Sequence, residues 1–316
     1  SGYTLASGSL GNDFGSTNTN SWSSGSPSIC PIFTNPGTYS ITMKIGSHCG
    51  IDQIIKTICI EAPPVPTFTL NNTVGCTPQS ITATNTTVNT TSCTTTTYSW
   101  NVTHIPAYCG TNIGTIPNQN TPNASYNFTE PGTYTITLTA TNSCGSFPIS
   151  QTVTVKKPPT VTINPIVNVC QTRSSTSINP TATVPICANA TYTWSFPGGT
   201  PANSTSAVPG AISYTTTGNH TVSLSVTNEC GTTIATDRIF TINPSPTITG
   251  DLFSCVGFTS QLIGSATAAT TSPWTSSNTT IATVSSTGLV TAVSGGTTTI
   301  TYTNANNCKI TEVFTV

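Results

Sequence analysis

One short pattern occurs four times in the 316 residues, and it limits what the chain can fold into. Pro36-Gly37-Thr38-Tyr39-Ser40-Ile41-Thr42-Met43 runs on to Cys49-Gly50. Pro131-Gly132-Thr133-Tyr134-Thr135-Ile136-Thr137-Leu138 runs on to Cys144-Gly145, and Gly218-Asn219-His220-Thr221-Val222-Ser223-Leu224 to Cys230-Gly231. A fainter copy, Gly296-Thr297-Thr298-Thr299-Ile300-Thr301-Tyr302, ends at Cys308. Successive terminal cysteines lie 95, 86 and 78 residues apart. A chain built this way folds as a series of small units rather than around one core.

A second register agrees with the first. Cys76 and Cys170 are 94 residues apart, as are Cys93 and Cys187, and Trp100 and Trp194 within Tyr-x-Trp. Fourteen residues after Cys49, Cys144 and Cys230 come Pro63, Pro158 and Pro244, each in a Pro-rich, semi-rigid joint. The expected domains are 1–62, 63–157, 158–243 and 244–316. Trp100 lies 31 residues before Pro131, and the same offset from Pro36 falls at residue 5. The first unit is therefore expected to begin near its third strand, with the parent polypeptide extending upstream.

Within each copy the period is two. Tyr134, Ile136, Leu138 and Ala140 alternate with Thr135, Thr137 and Thr139, the pattern of a half-buried antiparallel strand entered through a Pro-Gly turn. Composition points the same way. With 71 Thr and 37 Ser, hydroxyl residues make up about a third of the chain, and β-branched Thr suits the wet face of a strand. Few Ala, Leu, Glu and Lys argue against extensive helix. Charged residues are 5% of the chain and the formal net charge is −1. Seven basic residues exclude the electrostatic footprint of a nucleic-acid binder, and no apolar run reaches the ~20 residues of a membrane helix. The fold class is all-β: tandem Ig-like β-sandwich domains in a linear, rod-like array. Trp100, Trp194, Trp274 and Tyr134 are the expected core, with sugar stacking by a Trp as the minority reading.

Units one to three resemble PKD (polycystic-kidney-disease-type) domains. The residues carrying the likeness are Tyr98-Ser99-Trp100, Tyr192-Thr193-Trp194-Ser195-Phe196-Pro197-Gly198-Gly199-Thr200-Pro201 and the Pro-Gly-Thr-Tyr turns. The acidic loop frequent after the PKD tryptophan is replaced by Phe-Pro-Gly-Gly or missing. Unit four resembles a bacterial Ig-like group 2 domain through Trp274-Thr275-Ser276-Ser277-Asn278, Ile281-Ala282-Thr283-Val284 and the run from Thr287 to Gly296. Cysteine-bearing, Thr-rich arrays of this kind look like giant surface adhesins of Bacteroidota, including gliding-motility adhesins exported by the type IX system.

Twelve cysteines without metal-type spacing point to disulfides and an oxidising compartment. In an Ig-like sandwich, Cys76 before the second strand and Cys144 after the sixth sit at opposite ends, roughly 20–25 Å apart. That exceeds the ~7 Å Cα separation a disulfide tolerates. Cys93 shares an end with Cys144, so the expected bonds are Cys93–Cys144 and, by the repeat, Cys187–Cys230. Cys76 and Cys109 share the other end and form an available pair. Cys308 has two candidate partners of similar weight: Cys170 across a domain junction, or Cys255 within unit four. Cys30, Cys49 and Cys59 belong to the incomplete unit, with upstream partners an option.

Few residues are arranged for chemistry. The acidic residues Asp13, Asp52, Asp237, Asp251, Glu61, Glu130, Glu229 and Glu312 form no paired-carboxylate or calcium-ligand pattern. His220 stands where the repeat has Tyr39 and Tyr134, which makes it a corner residue. His48 beside Cys49 raises a dyad, but Cys49 occupies a repeated structural position. The ten N-x-S/T sequons match what 27 Asn give by chance in so hydroxyl-rich a chain. No catalytic residue, cofactor or metal is expected. The functional expectation is a non-enzymatic segment of a repetitive cell-surface adhesin or filament, located outside the cell or on its surface. Its partners would be surface polysaccharide or other cell-surface material and neighbouring repeats, with no nucleic acid and no membrane insertion. The alternative is a polysaccharide-binding or spacer region of a secreted hydrolase.

Overall fold

A computed structural model of the chain describes residues 2–47, 49–88, 93–172, 175–185 and 189–316. They are strand, turn and loop apart from one 3-10 turn, Thr19–Ser21. The chain divides into two compact units, Ser1–Lys157 and Pro158–Val316.

In the first unit, residues from 68 onward form a two-layer sandwich. One layer orders Val74–Cys76, Gly145–Lys156, Gly132–Asn142 and Thr97–Pro106; the other orders Phe68–Leu70, Gln79–Asn85 and Ala124–Phe128. The sequence alternation becomes a face here. Tyr134, Ile136, Leu138 and Ala140 are fully buried, while the threonines between them are only half-buried. Trp100 lies opposite Leu138 on the neighbouring strand and meets Phe68 of the other layer edge-on at 5.1 Å. Its indole N–H donates to Thr121 O at 3.0 Å, so burial leaves no donor unpaired.

Residues 2–62 are built more thinly. Tyr3–Ser7 pairs with Cys30–Phe33, and Gly37–Ser47 forms a long hairpin with Gly50–Ile60. Among the described residues none of this segment is buried, and Met43, Ile45, Ile54 and Ile55 stand exposed on the hairpin. The structure corrects the expected starting point. Cys30–Phe33 corresponds in the repeat to Ala124–Phe128, whose partner is Gln79–Asn85, so Tyr3–Ser7 stands in a second-strand place. The offset failed because it assumed equal spacing between these strands, and the connection over residues 8–29 is the shorter one.

The second unit holds two separate cores. One gathers Ile163, Trp194, Phe196, Ile212, Tyr214, Val222, Leu224, Phe240 and Ile242 between a sheet on Gly218–Asn228 and a three-stranded layer on Ile212–Tyr214. The other gathers Leu262, Trp274, Val290, Ile300, Tyr302 and Phe314 between the sheets centred on Thr297–Thr303 and Leu289–Ala292. Trp194 is fully buried and Trp274 nearly so.

The repeated corner has one geometry in three copies. Tyr39 Oη donates to Asn35 O at 2.8 Å, Tyr134 Oη to Glu130 O at 2.8 Å, and His220 Nε2 to Thr216 O at 2.9 Å. Each side chain ties itself to the carbonyl four residues back. Imidazole can replace phenol here because both present a donor at the far end of a flat ring.

Candidate functional site

Within each of the two compact units a disulfide joins one set of sheets to the next. Each of three long hairpins closes on a two-residue tip between Ser47 and Gly50, Asn142 and Gly145, or Asn228 and Gly231. The second tip residue is Cys49, Cys144 or Cys230. The Asn142 and Asn228 side chains accept from the Cys144 and Cys230 amides at 2.9 and 2.8 Å. Gly145 and Gly231 follow with φ of +130° and +138°, where a side chain would strain the backbone.

Cys93 is bonded to Cys59, with Cα atoms 5.8 Å apart, rather than to the expected Cys144. The expectation weighed only the two ends of one sandwich. Cys59 lies one residue from the end of the last strand of the preceding segment, and the short joint behind it brings it to the same end as Cys93. Cys144 is exposed and its thiol is free. Cys187 lies outside the described residues, while Cys230 is disulfide-bonded, as are Cys76 and Cys109. Cys170 is bonded to Cys308, with Cα atoms 5.5 Å apart, and Cys255 is free and exposed, as are Cys30 and Cys49. His48 lies outside the described residues, so the dyad with Cys49 does too.

The Cys170–Cys308 bond follows from strand placement. Val169–Cys170 runs parallel to the end of Arg238–Asn243, so Cys170 sits where the chain leaves the first core of the second unit. Gln171 N donates to Asn243 O at 2.8 Å, and the Ser245 hydroxyl donates to Gln171 O, which pins the joint. On the other side, Cys308 is buried and its amide donates to the buried Asn304 Oδ1 at 3.0 Å.

Glu61 organises the other joint, a role that no sequence motif announces. Its carboxylate accepts from Cys93 N and Thr94 N, both at 3.2 Å, from Thr94 Oγ1 at 2.8 Å, and from the Ser143 hydroxyl. Its carbonyl accepts from Cys144 Sγ at 3.6 Å, and Asn142 Nδ2 donates to Ala62 O at 2.7 Å. These donors, Ser143 foremost, hold the Glu61 carboxyl down at about 2.

The sandwich of the first unit also carries a polar groove of about 490 Å³ along Thr96, Tyr98, Asn120 and Thr121. Trp100 N and Gln119 N exchange hydrogen bonds with each other's carbonyls, fixing the loop that forms one wall. Among the described residues no three His, Cys, Asp or Glu side chains assemble as a metal-binding group. No helix among them is long and apolar enough to cross a membrane.

Sheet pairs of this kind, repeated along one chain and linked by disulfides at their joints, define a tandem Ig-like β-sandwich protein. The PKD domain model matches residues 68–155 and 168–239, just over half of the chain, and the chain belongs to the PKD-domain family. The bacterial Ig-like domain (group 2) model matches residues 256–313. Similar solved structures include FdeC, an Escherichia coli adhesin, at 13% identity and TM-score 0.39, covering 81% of this chain and 99% of that one. The three N-terminal domains of the bacteriophage RB49 highly immunogenic outer capsid protein match at 12% identity and TM-score 0.35, covering 80% and 98%. An I-band fragment from titin matches at 12% identity and TM-score 0.32, covering 80% and 98%. No curated protein matches the chain. Tandem PKD and Ig-like domains with disulfides fit an extracellular adhesion or spacer role.

Proposed function

We propose that this chain is a non-enzymatic extracellular segment of a repetitive cell-surface adhesin or filament, a disulfide-stapled stalk for adhesion or gliding. The observation that carries this reading is the pair of joint disulfides, Cys59–Cys93 and Cys170–Cys308. A segment that only had to hold independent domains on one string would need no covalent bond across its joints. A segment that transmits tension gains from one, because the load bypasses the weaker noncovalent contacts. The reading takes the domains as 1–62, 63–157, 158–243 and 244–316, with Cys76 joined to Cys109 and Cys187 to Cys230. The scarcity of charge suits a surface polymer, since little of its behaviour then depends on salt. The likeness to Bacteroidota gliding adhesins supports a type IX exported surface protein.

Antibodies raised against the segment are expected to label intact, unpermeabilised cells of the producing organism. In-frame deletion of its coding stretch is expected to reduce attachment or gliding while leaving growth on polysaccharides unchanged. Signal only after permeabilisation would overturn the reading.

The polar groove beside Tyr98 favours a second reading, a polysaccharide-binding or spacer region of a secreted hydrolase. Its hydroxyl, amide and phenol lining suits a neutral glycan. Glycan-array binding at better than millimolar affinity, abolished by Tyr98→Ala, would select it. Loss of polymer hydrolysis on deletion would do the same.

A further inference from the structure

Three cysteines meet at the first joint, and only two of them are bonded. Cys59 and Cys93 form the disulfide; Cys144 is a free thiol. One residue, Glu61, touches the surroundings of all three: it follows Cys59 by two positions, its carboxylate accepts from Cys93 N, and its carbonyl accepts from Cys144 Sγ. All three cysteines are exposed, so neither bond nor thiol is sealed from solvent.

The next repeat supplies the second observation. Cys230 occupies the same hairpin-tip position as Cys144, with the same Asn side chain on its amide and the same positive φ in the glycine that follows. Cys230 is disulfide-bonded. The Cys144 tip therefore already has the conformation that a bonded cysteine adopts at this place in the fold. Cys93 is bonded to Cys59.

We propose that Cys59–Cys93 and Cys93–Cys144 are alternative bonds sharing Cys93, and that Cys144 is the attacking thiol that interconverts them. The Cys144 thiolate attacks Cys93 Sγ; the Cys93–Cys144 bond forms, the Cys59–Cys93 bond breaks, and Cys59 leaves as a thiolate that takes up the proton Cys144 gave up. One disulfide and one thiol exist before and after, so no oxidant or reductant is consumed. The exchange moves a covalent link from between two sets of sheets to within one. The first segment then loses its covalent tie to the sandwich and keeps its polypeptide joint and the hydrogen bonds of Glu61 and Ala62. This inference concerns the joint alone and does not depend on what the segment adheres to.

The test is alkylation followed by non-reducing peptide mapping of the whole chain. In Cys59→Ser, a peptide pair linked through Cys93 and Cys144 is expected in most molecules. In the wild-type chain incubated without added reductant, label on Cys59 is expected to rise as label on Cys144 falls. In Cys144→Ser, Cys59 is expected to stay unlabelled, at least tenfold below wild type at the same time. The proposal is overturned if Cys93 and Cys144 both remain alkylatable in Cys59→Ser. It is equally overturned if wild-type Cys59 stays unlabelled throughout, a readout that needs no variant to fold.

Discussion

Removing the Cys170–Cys308 bond tests the stapling most sharply, because the loop it closes is long. The two residues are 138 apart in sequence. Chain-entropy reasoning gives about 5 kcal/mol for a loop of that size, against ~2–4 kcal/mol for a typical disulfide. The figure is an upper bound, since strain and residual denatured structure subtract from it. The loop runs through both cores of the second unit, so its benefit is shared between them. The double variant Cys170→Ser, Cys308→Ala is therefore expected to lose about 2–5 kcal/mol across the unit. Its two cores are also expected to unfold separately. Guanidinium unfolding read by hydrogen exchange resolves this, with peptides from Gly218–Asn228 reporting one core and peptides from Thr297–Thr303 the other. In the intact chain the two sets should lose protection at one midpoint; in the variant they should part. A loss of unfolding free energy below about 0.5 kcal/mol, within the range of an ordinary surface substitution, would refute the reasoning.

Other outcomes follow from the same geometry. Trp100→Ala empties a fully buried site and strands Thr121 O, so it is expected to cost about 3–5 kcal/mol in thermal or chemical unfolding of the first unit. His220→Tyr keeps a ring donor over Thr216 O and should stay within about 1 kcal/mol of wild type, whereas His220→Ala should cost about 2–4 kcal/mol through the lost bond and the gap between Tyr214 and Phe240. Glu61 is held at about 2 in the folded chain, below its ordinary 4.5. Its contribution is thus complete above pH 4.5 and fades as pH falls toward 2. A chemical-shift titration of the Thr94 amide should have a midpoint near 2 that vanishes in Glu61→Gln; a midpoint near 4.5 would contradict the assignment.

Much of this fold can be read from residues 131–145 alone. Pro131-Gly132 opens a turn, alternation from Tyr134 to Ala140 sets the buried face, and Cys144-Gly145 closes the hairpin. Trp100 is equally legible, because an aromatic on the neighbouring strand must fill the space across from Leu138. His220 was legible from its register with Tyr39 and Tyr134. The partner of Cys93 was not, since rules for one sandwich cannot count a cysteine delivered by the strand before it. Glu61 was hidden for a related reason: its partners at 93–94 and 142–144 come together only after folding. For Cys308 the sequence left Cys170 and Cys255 open. The parallel pairing of Val169–Cys170 with the exit strand places Cys170 at the joint.

The claim that tension passes through covalent staples is tested most directly by stretching single chains from end to end. With disulfides intact, the 138 residues between Cys170 and Cys308 and the 34 between Cys59 and Cys93 stay out of the extended length. At ~3.6 Å per residue, reduction of these two bonds should then release roughly 500 Å and roughly 120 Å of hidden chain, in addition to what the bonds of Cys76 and Cys109 release. An extended length that does not change on reduction would contradict the account.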